Sequence, residues 1–157
     1  MLRVVTKKQG LFAANPPYAI LDGETEVAEV QYAPFAKRGQ VVADGLTYEA
    51  YSRGAFLAAY VLELDGSPLV EVRRPKLLTL SNVVAVTGGK TYTLRPASLF
   101  SRRYLLLDND QPIGEIRPEG FWGVRFVIDL PDVIPVPVQA FLFWVVRTIR
   151  ERNRNSD

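Results

Sequence analysis

Histidine and cysteine are both missing from this 157-residue chain. Their absence excludes disulfide frameworks, thiolate nucleophiles, Cys/His zinc sites and every catalytic arrangement built on imidazole. A chain without cysteine suits either redox compartment, so this lack does not place the protein. Charge of one sign is also scarce. Lys plus Arg number 19 and Asp plus Glu 17, a net +2. That excess sits in Arg147–Asp157, where four arginines face Glu151 and Asp157, and the first 146 residues hold fifteen charges of each sign. A nucleic-acid binder carries a basic face on its folded body; a basic tail at residues 153–157 is weak ground for one, and nucleic acid is not expected as a partner.

Long hydrophobic runs are missing too. Val133–Val146 spans 14 residues with Pro135 and Pro137 near its start, against the ~20 needed to cross a bilayer. A buried core helix is expected there, not a membrane span. Met1–Gly10 has Lys7 and Lys8 where the apolar part of a secretory leader would lie, so a cytoplasmic location, peripheral to a membrane if the lipid reading below holds, is the expectation.

What is present is repetition. Tyr18-Ala-Ile-Leu-Asp22-Gly23, Tyr60-Val-Leu-Glu-Leu-Asp65-Gly66 and Tyr104-Leu-Leu-Leu-Asp108-Asn109 are one phrase written three times, the aspartates 43 residues apart. Each runs into an echo: Val27-Ala28-Glu29-Val30, Leu69-Val70-Glu71-Val72 and Ile113-Gly114-Glu115-Ile116. Tyr48 and Tyr92, like Phe56 and Phe100, lie 44 apart, so the correspondence extends further along the unit. A fixed period of this size marks a fold made from one repeated supersecondary unit.

The units read as strands. Asp22-Gly23 and Asp65-Gly66 are strong hairpin signals between apolar runs, and Asp108–Pro112 is a looser turn in the equivalent place. Gln40–Asp44 leads to Leu46–Tyr51, Asn82–Val86 leads to Lys90–Leu94, and Trp122–Ile128 fills that role in the third copy. Repeats over about 14–56, 57–100 and 101–131 predict roughly twelve antiparallel strands in a single domain. Asp132–Pro137 supplies a helix start, followed by a helix over 137–152. Its first turns, Val-Gln-Ala-Phe-Leu-Phe-Trp-Val-Val, are apolar all round. Such a helix must be surrounded on every side, and a twelve-stranded barrel is wide enough to hold one. The fold expected is a closed antiparallel barrel enclosing its C-terminal helix.

Three four-stranded units followed by an enclosed helix resemble the tubby C-terminal-like superfamily, which includes tubby proteins, LURP-one-related proteins and phospholipid scramblases. The likeness rests on the repeat rhythm, on Gln111-Pro112-Ile113-Gly114-Glu115-Ile116-Arg117 and on Val138–Val146, and covers about residues 10–152. It implies a non-catalytic module without cofactors, associated with phosphoinositide or other lipid. The chain departs from scramblases in lacking a Pro/Cys-rich lead segment and any cysteine to palmitoylate. The tubby lipid site has no residue-by-residue match here.

Candidate chemistry is sparse. Gly88-Gly89-Lys90-Thr91 imitates the end of a phosphate-binding loop, but the required earlier glycine is Val84 and a strand follows, so a hairpin turn is expected. Asp108, Asp110 and Glu115 lack calcium-loop spacing and read as turn and strand residues. Glu29, Glu71 and Glu115 recur with the repeat, as exterior strand positions do. The suggestive polar feature is a set of basic clusters, Arg73-Arg74-Pro75-Lys76 and Arg102-Arg103, with Lys37-Arg38 as a third. On neighbouring strand ends they would form a rim for anionic head groups or another phosphorylated ligand; the plainer reading is a solvated rim that guards strand ends. Two other functions stay open. A protein-interaction scaffold would show an exposed apolar patch, with Phe121-Trp122 the segment to inspect, and an enzyme would show clustered carboxylates and tyrosines in a cleft.

Overall fold

The computed structural model describes residues 1–7, 16–32, 37–54, 58–120 and 125–155. Twelve strands, β1 (Leu2–Thr6), β2 (Tyr18–Asp22), β3 (Thr25–Tyr32), β4 (Arg38–Ala43), β5 (Leu46–Arg53), β6 (Ala59–Leu64), β7 (Ser67–Arg73), β8 (Asn82–Val86), β9 (Thr91–Pro96), β10 (Tyr104–Asp108), β11 (Gln111–Glu119) and β12 (Arg125–Asp129), precede one helix, α1 (Val136–Arg154). Each strand pairs antiparallel with its sequence neighbours, and β1 closes the barrel on β12. Closure leaves no open edge for another chain to extend.

The threefold repeat is physical. In β2–β3, β6–β7 and β10–β11 the register slips at the same place, between Ile20/Leu21, Leu62/Glu63 and Leu106/Leu107. Each slip leaves an extra residue on the partner strand (Val27, Leu69, Ile113), and all three pack against the core. A bulge of this kind bends the sheet and increases its twist, which a closing barrel needs. The third unit is completed from the other end of the chain. Where β4–β5 and β8–β9 continue as hairpins, the chain after β12 turns inward as α1, and Leu2–Thr6 supplies the missing strand with Leu2 opposite Ile128 and Val4 opposite Phe126.

Turn chemistry corrects the aspartate alignment. Asp44-Gly45, Asp65-Gly66 and Asn109-Asp110 all have positive φ at both residues, the type I′ geometry that matches strand twist. In the first unit the two-residue loop is Gly23-Glu24, with Asp22 paired to Thr25 in the ladder, so Asp22 and Asp108 end strands whereas Asp65 is inside its turn. Gly88-Gly89-Lys90 lies in the hairpin between β8 and β9, as expected.

Val138 to Val146 are each no more than 7% exposed. At 100° per residue, nine such residues point in every direction, so the wall surrounds the helix. Pro135 stands at the N-cap with no side-chain cap bond; its carbonyl accepts from the Val138 and Gln139 amides. The buried Gln139 amide donates to the Ile134 carbonyl at 2.8 Å. Small residues on the inner wall make room. A Cβ at Gly39 would overlap the Trp144 indole nitrogen and lie 2.6 Å from the Gln31 carbonyl oxygen. Gly39→Ala should therefore cost roughly 1–3 kcal/mol through overpacking, read from the urea midpoint, and Trp144→Phe should recover part of it. No helix among the described residues is long and apolar enough to cross a membrane.

Candidate functional site

The two ends of the barrel differ. At one end the strands are joined by tight hairpins and α1 begins; at the other lie the longer connections and the C-terminus of α1. The five hairpin tips hold six carboxylates, Asp22, Glu24, Asp44, Asp65, Asp108 and Asp110, together with one cation, Lys90, which pairs with Asp108. The opposite mouth is basic, and this is where the candidate site forms.

Arg74 and Arg102, from the connections that follow β7 and precede β10, line one cavity of about 390 Å³ with Arg150 and Arg154 of α1. Tyr104 and Ile149 form its inner wall; Leu80, Leu99 and Phe100 form its outer lip. Among the described residues no carboxylate lines it, and none pairs with Arg74, Arg102 or Arg150. Arg154 reaches Glu151 at 3.8 Å. A neighbouring cavity of about 180 Å³ shares Arg74 and Ile149 and adds Tyr60, Asn82 and Arg152. Arg152 is held by Ser52 Oγ at 2.7 Å and the Tyr60 hydroxyl at 3.3 Å.

Arg150 is the most constrained of these cations. Its guanidinium stands 5.5 Å from the Phe126 ring centroid, and its buried Nη1 has no hydrogen-bond partner among the described residues. Burial, then the charges of Arg147 and Arg102, lower its pKa from the ordinary arginine value. A guanidinium crowded by like charge and short of acceptors is suited to a bidentate oxyanion. The helix C-terminus carries the negative end of the macrodipole, so any anion affinity here has to come from the arginines.

The other sequence candidates fall elsewhere. Arg73 is exposed and alternates with the buried Val72, which turns it to the outer surface. Arg103 pairs with Glu115 at 3.3 Å, also on the outside. Lys76 is exposed outside the cavity lining. Lys37 lines a separate cleft of about 40 Å³ beside Tyr32 and Trp144, and Arg38 stands 5.9 Å over the Tyr51 ring. Phe121-Trp122 lies outside the described residues. Glu29, Glu71 and Glu115 are exterior, each paired with a cation: Lys7, Arg53, and Arg103 with Arg117. Among the described residues no group of three or more His, Cys, Asp or Glu is placed to hold a metal ion.

Arg154 corrects the reading of a basic tail at 153–157, and Arg150 lies in the helix as expected. α1 runs to Arg154, and the spacing of Arg147, Arg150 and Arg154 puts all three on one helical face. That spacing was the available signal. Leu80, Leu99 and Phe100 had none, because an apolar residue in a connection looks the same whether it folds inward or stands in solvent. Compared with known proteins, the chain matches no family model, no curated protein and no solved structure.

Proposed function

We propose that the protein is a non-catalytic module that recognises a phosphorylated anion at the arginine-lined mouth of its barrel. The observation that carries this is Arg74, Arg102 and Arg150 on one cavity, with no carboxylate among the described residues of its wall. Guanidinium groups offer a phosphate planar donors in fork geometry, two parallel bonds to one group. A carboxylate partner would have taken up that capacity; six of the seventeen acidic residues stand instead at the hairpin tips, at the far end of the barrel. Kinship with the tubby-like superfamily is part of the proposal, supported by the twelve-stranded barrel around a C-terminal helix.

Titration calorimetry with a soluble inositol polyphosphate, and with sulfate as control, tests it. The polyphosphate should bind with a dependence on salt, as exposed charge contacts do. Arg102→Gln and Arg150→Gln should each weaken it by at least tenfold, roughly the loss of one charge-assisted bond. Arg73→Gln, on the outer surface, should leave it unchanged. Binding that ignores Arg102 and Arg150, or no preference over sulfate, overturns the reading.

A further inference from the structure

Five of the eight large apolar side chains exposed among the described residues stand on two connections at this mouth, residues 74–81 and 97–103. Leu78 is fully exposed and Phe100 is 96% exposed, with Leu77 and Leu99 beside them at 62% and 76%. The remaining three, Met1, Leu46 and Val133, are single residues at the hairpin end. Scattered apolar residues are ordinary on a protein surface, whereas a cluster rimmed by charge marks a contact surface.

Resting on the anion reading of the cavity, we infer that these two connections insert into one leaflet of an anionic bilayer while the arginines behind them hold the lipid phosphates. The apolar residues are loop tips that project; a groove for a peptide would be concave. Leu99 and Phe100 project from the lip of the cavity in which Arg74 and Arg150 are half-buried, so these apolar tips lie outside those two cations, in the order of acyl chain and phosphate. Guanidinium groups at that depth pair with phosphate oxygens, and their aliphatic stems tolerate the interface. Charge also fixes the orientation. The six carboxylates of the hairpin tips lie at the far end of the barrel, so an anionic surface attracts the mouth and repels the opposite end. The barrel then stands on the membrane with its mouth down. A surface that binds by buried apolar area plus electrostatic attraction needs no spanning segment.

The test uses phosphatidylcholine vesicles with and without a minor fraction of phosphatidylinositol bisphosphate. Leu77→Ser/Leu78→Ser changes two exposed tips outside the cavity lining. It should keep the affinity for the soluble inositol polyphosphate and lose vesicle binding by at least tenfold, on the order of one buried leucine. Because the chain has no cysteine, Leu78→Cys carries an environment-sensitive fluorophore at one site, with Leu46→Cys at the hairpin end as control. Emission should shift to the blue on vesicles for the first and stay unchanged for the second. Wild-type vesicle binding by the Leu77/Leu78 variant, or no shift at residue 78, overturns the insertion and leaves the anion site standing. A wild-type protein that binds the soluble polyphosphate but not vesicles does the same. Failure to bind either ligand removes both readings.

Discussion

Trp144→Asp abolishes folding. The indole is 1% exposed at the centre of the barrel. It is stacked on Phe141 at 6.0 Å and meets Tyr60 edge-on at 6.1 Å, with the Gly39 backbone against its nitrogen. A carboxylate there would be surrounded by apolar wall, and an uncompensated buried charge costs several kcal/mol out of a total of about 5–15. The graded series separates charge from volume. Trp144→Ala should cost about 3–5 kcal/mol for the cavity it opens and still give a cooperative transition. Trp144→Phe should cost least, since the indole nitrogen has no hydrogen-bond partner among the described residues and only ring area is lost. Circular dichroism and urea titration read all three. A soluble Trp144→Asp protein that unfolds cooperatively would mean that the helix is not inside the barrel.

That prediction follows from the part of the fold that was plain in the sequence. A nine-residue run with eight apolar residues and no polar face needs a complete wall, and a threefold strand repeat needs something to fill it. Each implied the other, and residues 138–146 prove buried on every side. The closing strand was not legible. Leu2–Thr6 is joined to its neighbour β2 by no tight turn, residues 7–17 lying between them, and its pairing with β12 joins Leu2 to Ile128, a contact that no local pattern announces. The aspartate alignment slipped by one residue because Asp-Gly and Gly-Glu both make two-residue turns, and the letters do not say which residue begins the loop. At the mouth, Arg74 and Arg102 were visible as clusters at strand ends. Their meeting with Arg150 depends on where the helix emerges, which barrel diameter and strand tilt decide. Arg73 and Arg103 look identical to them in sequence; strand alternation turns Arg73 outward, and Arg103 is bound to Glu115.

Alkaline solution should unfold the protein over a window set by the same buried mouth. Tyr32, Tyr60 and Tyr104 are each less than a tenth exposed. Burial pushes the Tyr32 hydroxyl up to about 12, against the attraction of Arg147. Burial also raises Tyr60 and Tyr104, although Arg152 and Arg74 oppose it at the first and Arg150 and Arg74 at the second. A tyrosine whose folded pKa lies above its unfolded value stabilises the protein fully below about pH 10 and loses that contribution as pH rises towards 12. For Tyr32 the shift corresponds to about 2–3 kcal/mol. Lys7, raised by its bonds to Glu26 and Glu29, loses stabilisation in the same direction. Urea midpoints measured against pH should therefore fall steeply between about pH 10 and 12, with tyrosinate absorbance appearing together with unfolding. Tyr32→Phe should leave the neutral-pH midpoint nearly unchanged and flatten the alkaline fall. A variant whose fall matches wild type would show that Tyr32 ionises without first leaving its place between the wall and the helix.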